Sequence, residues 1–129
     1  MWSCHALPAP DSYEDTLLEN LLNVPLHYHE KRVRVVGICH IAFEGTVLFL
    51  NEQDNLLEHF DRSVWLSVDW HDTAVQSLSG QRVLVEARFD AHRRGHLGCC
   101  NGTLEPIHRM TPVSPQAERD QRSRAMFTR

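Results

Sequence analysis

The stretch that most limits what this chain can fold into is an alternating run with a glycine at its centre. From Glu30 to Phe43 the odd positions Val33, Val35, Gly37, Cys39, Ile41 and Phe43 are all apolar or small, while the even ones mix Arg32, Arg34 and His40 with Val36 and Ile38. Side chains of a strand point to alternate faces, so this spacing predicts one long strand with a core-facing side. Gly37 in mid-strand suits a bulge or sharp bend, by which one strand serves two sides of a small barrel. The run at 79–90 echoes it, with Val83, Val85, Ala87 and Phe89 alternating. Two such strands, with two shorter ones between them and one after, predict a small curled barrel.

The remaining elements follow from periodicity and punctuation. Leu17, Leu18, Leu21 and Leu22 recur at helical spacing behind Asp11-Ser12, and Pro25 ends the run, which predicts a short amphipathic helix packed by its leucines. Glu44-Gly45 makes a tight turn into a strand at 46–50. An acidic segment at 51–61 follows, with Leu56, Leu57 and Phe60 at spacing that allows a helical turn. In the next strand Val64, Leu66, Val68 and Trp70 form the inward set, which leaves Trp65 on the other face among Ser63, Ser67 and Asp69. Residues 72–78 form a short helix closed by Gly80 as its C-terminal cap. The last strand, 103–110, contains Pro106, which places it at an edge or bulge.

Strand, strand, strand, helix, strand, strand is the order of a mainly β, five-stranded OB-fold, the Greek-key barrel, here with a short N-terminal helix and a helix between strands three and four. The stretch Leu21-Leu22-Asn23-Val24-Pro25-Leu26-His27-Tyr28-His29-Glu30-Lys31-Arg32-Val33-Arg34-Val35-Val36-Gly37 resembles the opening of small bacterial OB-fold proteins of the tRNA-anticodon-binding-like group. Their pattern runs leucine pair, asparagine-proline, tyrosine, glycine-lysine, then a valine strand and its glycine. Here Val24 intervenes before Pro25, and His29-Glu30 stands where a glycine is common. Phe89-Asp90-Ala91, Gly95-His96-Leu97-Gly98 and Gly102-Thr103-Leu104 are similar to the end of a largely uncharacterised subset of that group. The resemblance spans about Leu17 to Met110 and implies a barrel. RNA binding would have to be argued from the site.

Composition bounds the function classes. The chain has 129 residues, enough for one core without metal or disulfide staples. The expected organisation is a flexible lead-in at 1–11, an OB-fold domain with its leading helix at 12–110, and a flexible basic tail at 111–129. Thirteen basic against 17 acidic residues give a net charge of −4. The stretch from Pro112 on holds four arginines against Glu118 and Asp120, a balance of +2, so the body before it carries −6. That disfavours broad nucleic-acid binding, whose non-specific part comes from Lys and Arg on phosphates. No run approaches the ~20 apolar residues of a membrane span. The first residues lack the basic start and apolar stretch of a signal peptide, so a cytoplasmic protein is expected, with Cys4, Cys39, Cys99 and Cys100 as reduced thiols.

The chemistry-bearing residues divide into weak and stronger sets. His92, His96, Cys99 and Cys100 share one loop, and His27 and His29 flank Tyr28, but no spaced Cys or His pair has a zinc-site pattern. We expect no metal ligands, no cofactor and no catalytic residues, because no nucleophile motif, phosphate loop or dinucleotide fingerprint is present. For binding, the OB-fold offers the outer face of strands two and three with its flanking loops. Trp65, Ser67 and Asp69 fall on that face, and Arg93, Arg94 and His96 overhang it from the loop at 91–102. The leading expectation is a non-catalytic binding module for a protein partner, of the inhibitor or antitoxin-like immunity-protein kind. The alternatives are single-stranded nucleic-acid binding through Trp65 and that loop, and a metal-binding or redox-sensing module.

Overall fold

The computed structural model describes residues 12–43, 45–95, 98 and 100–127. Among them are six strands: β1 Glu14–Asp15, β2 Arg32–His40, β3 Val47–Phe49, β4 Ser63–Leu66, β5 Arg82–Asp90 and β6 Thr103–Pro112. They form one sheet in the order β1-β2-β3-β4-β6-β5, and pairing of β2 with β5 closes it. β4 and β6 run parallel, whereas the other neighbours within the closed part are antiparallel. β2 to β6 are therefore a closed five-stranded barrel with the strand order of the OB-fold. β1 is an addition the sequence pattern does not announce, two residues laid parallel to β2 at Val33 and Arg34.

Gly37 is where the barrel turns its corner. β2 pairs with β5 from Arg32 to Ile38 and with β3 from Ile38 to His40, so the strand changes partner one residue after the glycine. A Cβ on Gly37 would sit 2.7 Å from the Phe49 carbonyl oxygen and 2.8 Å from Leu48 Cγ. Only a residue without a side chain lets the two strands approach this closely.

The interior is the set that alternation predicts. Val33, Val35 and Cys39 of β2 pack with Val83, Val85, Ala87 and Phe89 of β5, and Leu48, Val64, Leu66 and Leu104 complete the ring. Burying each large apolar side chain contributes roughly 1.5–3 kcal/mol, offset by the entropy of ordering it. Leu18 and Leu21 of α1 (Leu18–Asn23) close one end. α3 (Thr73–Gln76) begins at Asp72, whose carboxylate accepts from the N–H groups of Ala74 and Val75. Gly80 follows with φ of 86° and donates its N–H to the Cys39 carbonyl oxygen. The Cys39 thiol donates to the Leu78 carbonyl oxygen at 2.8 Å, and burial pushes its pKa up to about 11, so it stays a protonated donor. Glu30 takes the left-handed conformation with φ of 68°.

Two expectations need correction. Phe43 belongs to the alternating odd set but is 65% exposed, because β2 ends at His40 and the chain turns before reaching it. Instead it lies edge-on to Trp70, centroids 5.3 Å apart. Second, the stretch predicted as a flexible tail extends β6 to Pro112 and then forms α4 (Pro115–Phe127). Ser114 Oγ accepts from the Ala117 N–H, and Pro115 occupies the first helical position, where its missing donor is harmless. Polar contacts dock the helix. Buried Gln121 donates to the carbonyl oxygens of Thr16 and Arg34 at 3.1 and 2.8 Å. Arg122 pairs with Glu19 at 2.9 Å, Arg124 with Asp15 at 3.0 Å, and Glu118 with Arg82 at 3.1 Å. The lead-in at 1–11 lies outside the described residues.

Candidate interaction surface

On β3 the side chains alternate between Leu48, in the barrel, and Val47 and Phe49, outside it. Outside, Val47 and Phe49 join Ile38 of β2 and Cys100 in a second fully buried cluster, with Phe60 and Trp65 packed against it. This is the outer face of barrel strands two and three, on which OB-folds commonly bind oligomers. Here the chain itself covers it. Phe60, in the single helical turn Phe60–Arg62, lies 5.6 Å from the Phe49 ring, and His40 stands edge-on to both at about 6 Å.

The loop between β5 and β6 covers the other half. Gly95 passes so close to Trp65 that a Cβ would meet indole Cε3 at 2.8 Å, and its φ of 79° also suits glycine. Trp65 is thus half-buried beneath backbone. Arg93 is engaged by Glu105, and its carbonyl oxygen accepts from Thr103 Oγ1 at 2.6 Å. Arg94 Nε donates to the Cys100 carbonyl oxygen at 2.9 Å. At the loop's base, His29 Nδ1 accepts from the Ala91 N–H at 3.1 Å. The predicted set therefore divides: Gly95 lays the loop that carries Arg93 and Arg94 against Trp65, each arginine being held by another partner, whereas Ser67 and Asp69 lie past the end of β4. Ser67 lines a shallow groove of about 290 Å³ with Val68, Val75, Leu78, Ile107 and Met110. Asp69 is exposed, held below the ordinary carboxylate range by hydrogen bonds from the His71 N–H and then its ring. His96 and Cys99 lie outside the described residues. Among the described residues no three His, Cys, Asp or Glu side chains are placed to hold a metal ion, and no helix is long and apolar enough to cross a membrane.

The segment that covers Phe49 is built inside out. α2 (Glu52–Leu56) starts at Asn51, whose side-chain oxygen accepts from the Asp54 N–H at 2.8 Å. Asp54 is only 2% exposed, while Leu56 is 81% and Leu57 55% exposed. An ordinary surface helix would do the reverse. Asp54 Oδ1 bonds His59 Nδ1 at 2.9 Å, and Oδ2, which accepts no hydrogen bond, faces the Arg62 guanidinium at 3.6 Å. Glu58 ends the turn in the left-handed conformation with φ of 54°, uncommon for a side chain other than glycine, asparagine or aspartate. Sequence periodicity finds the turn but not which side faces out, because that side is chosen by the polar anchor at Asp54.

Compared with known proteins, the chain matches no family model, no curated protein and no solved structure.

Proposed function

We propose that the chain is a non-catalytic OB-fold module that engages another protein. The observation that carries this reading is the inverted α2 segment, which fills the usual oligomer-binding face from outside and turns two leucines to water. Exposed leucines fixed on an ordered turn are what a protein interface uses, whereas nucleic acid asks for cations and open aromatic faces. The acidic body favours a basic target and fast encounter with it, which suits an inhibitor or immunity-type role in a cytoplasm. The likeness to the small bacterial anticodon-binding-like group rests on the barrel and the quoted motifs, and contributes the scaffold to this reading.

The nucleic-acid alternative has to work with Trp65 under Gly95 and with Arg93 and Arg94 already engaged. A titration separates the two. Short single-stranded DNA and RNA, labelled and followed by fluorescence anisotropy at about 150 mM salt, should show no saturable binding below about 100 μM. Micromolar binding that is lost when Arg93 and Arg94 are both changed to Glu would overturn the protein-partner reading.

A further inference from the structure

We propose that Leu56 and Leu57 are the apolar centre of a docking surface for a basic amphipathic segment of the partner, an inference that rests on the protein-partner reading above. Its first support is local construction. The chain between Asn51 and Arg62 holds a carboxylate inside and two leucines outside, although the opposite arrangement would bury more apolar surface and desolvate no charge. Asn51, His59 and Arg62 anchor Asp54, and Asp54 receives the His59 N–H at its backbone carbonyl as well. The leucines are therefore presented by an ordered frame, so little entropy is lost when they are covered.

The rim supplies the partner's chemistry. Residues 51–62 carry four carboxylates, Glu52, Asp54, Glu58 and Asp61, against one arginine, Arg62. Arg62 lies 3.6 Å from buried Asp54 with just over half of its side chain still exposed, and Glu52, itself largely exposed, pairs with Arg82 at 3.1 Å. Glu58 and Asp61 remain as exposed acids, and Glu58 keeps an acidic side chain at a left-handed position where glycine would fit with less strain. An apolar pair on an acidic segment, with exposed Glu52 and Glu58 on either side of it in the chain, complements leucine or isoleucine flanked by lysine or arginine, the pattern of a basic amphipathic helix. An acidic or neutral segment would meet like charge or none, so the same rim rejects it.

The test uses three labelled probes on the whole protein, by fluorescence anisotropy at about 50 and 150 mM salt. One is an 18-residue amphipathic helix with leucines on one face and lysine and arginine on the other. The second keeps the leucines and replaces the cations with glutamate. The third is a single-stranded oligonucleotide. The basic helix should bind at least tenfold more tightly than the acidic one, and Leu56→Ser with Leu57→Ser should weaken it at least tenfold while the thermal midpoint stays within a few degrees. Glu58→Lys with Asp61→Lys should reverse the preference between the two peptides. Equal binding of both peptides, indifference to the leucine changes, or no peptide binding overturns this inference, while protein engagement elsewhere on the surface still stands. Binding of the oligonucleotide but of neither peptide overturns the parent reading as well.

Discussion

Gly37→Ala is expected to destabilise the fold by about 3 kcal/mol, at the upper end of ordinary overpacking. The reason is the identity of the atoms a methyl group would meet. Leu48 Cγ at 2.8 Å and Leu18 Cδ2 at 3.0 Å belong to fully buried side chains, and the nearest atom, the Phe49 oxygen at 2.7 Å, belongs to the backbone. Relief requires β2 and β3 to separate at the point where β2 changes partner, which disturbs the pairings of Ile38 with Phe49 and Cys39 with Leu48. For a domain of this size that loss lowers the melting temperature by roughly 10–15 °C, readable by circular dichroism. A midpoint within about 2 °C of the parent would mean that the close approach of β2 and β3 is wrongly placed.

Val35→Asp should be worse. Val35 is fully buried and lies opposite Val85, with Leu48 and Phe89 in the same cluster, so a carboxylate there has apolar neighbours and no partner. Whether it stays ionised or takes a proton, it sits in the centre of the barrel without a compensating hydrogen bond. We expect a loss of about 5 kcal/mol or more, which against a typical stability of about 5–15 kcal/mol leaves the protein unfolded or nearly so at 37 °C. Val35→Ala is the control, expected to cost about 2 kcal/mol and keep the native spectrum. An aspartate variant that melts cooperatively near the parent would contradict the core assignment.

The barrel was legible because a strand buried on one face writes its burial into every second residue. Val33, Val35 and Cys39, and again Val83, Val85 and Phe89, are core by period alone, and Gly37 marks the corner. α4 was not legible in the same way. Its buried residues are Gln121 and Ala125, and its attachments are Gln121 to backbone oxygens and three arginine–carboxylate pairs, none of which leaves an apolar stripe. The signal that existed was Ser114-Pro115 with Glu118 behind it, a helix start read from capping rather than from hydrophobicity. The surface was harder still. Alternation puts Trp65 on the outer face, but what covers it depends on the path of Gly95. The leucines at 56 and 57 fit a helical turn, but the pattern itself would send them inward. Only the anchoring of Asp54 by Asn51, His59 and Arg62 turns them out.

Site-specific photo-cross-linking in extract of the native host distinguishes a barrel that meets a protein through the outside of α2 from one that meets a nucleic acid through Trp65. A photoreactive phenylalanine analogue is placed at position 56 in one variant and at Arg94, beside the covered tryptophan, in another. A discrete adduct is expected from position 56 that withstands nuclease, loses intensity with Glu58→Lys and Asp61→Lys, and is weak or missing from position 94. An adduct formed chiefly from position 94 and removed by nuclease would contradict the protein-partner reading.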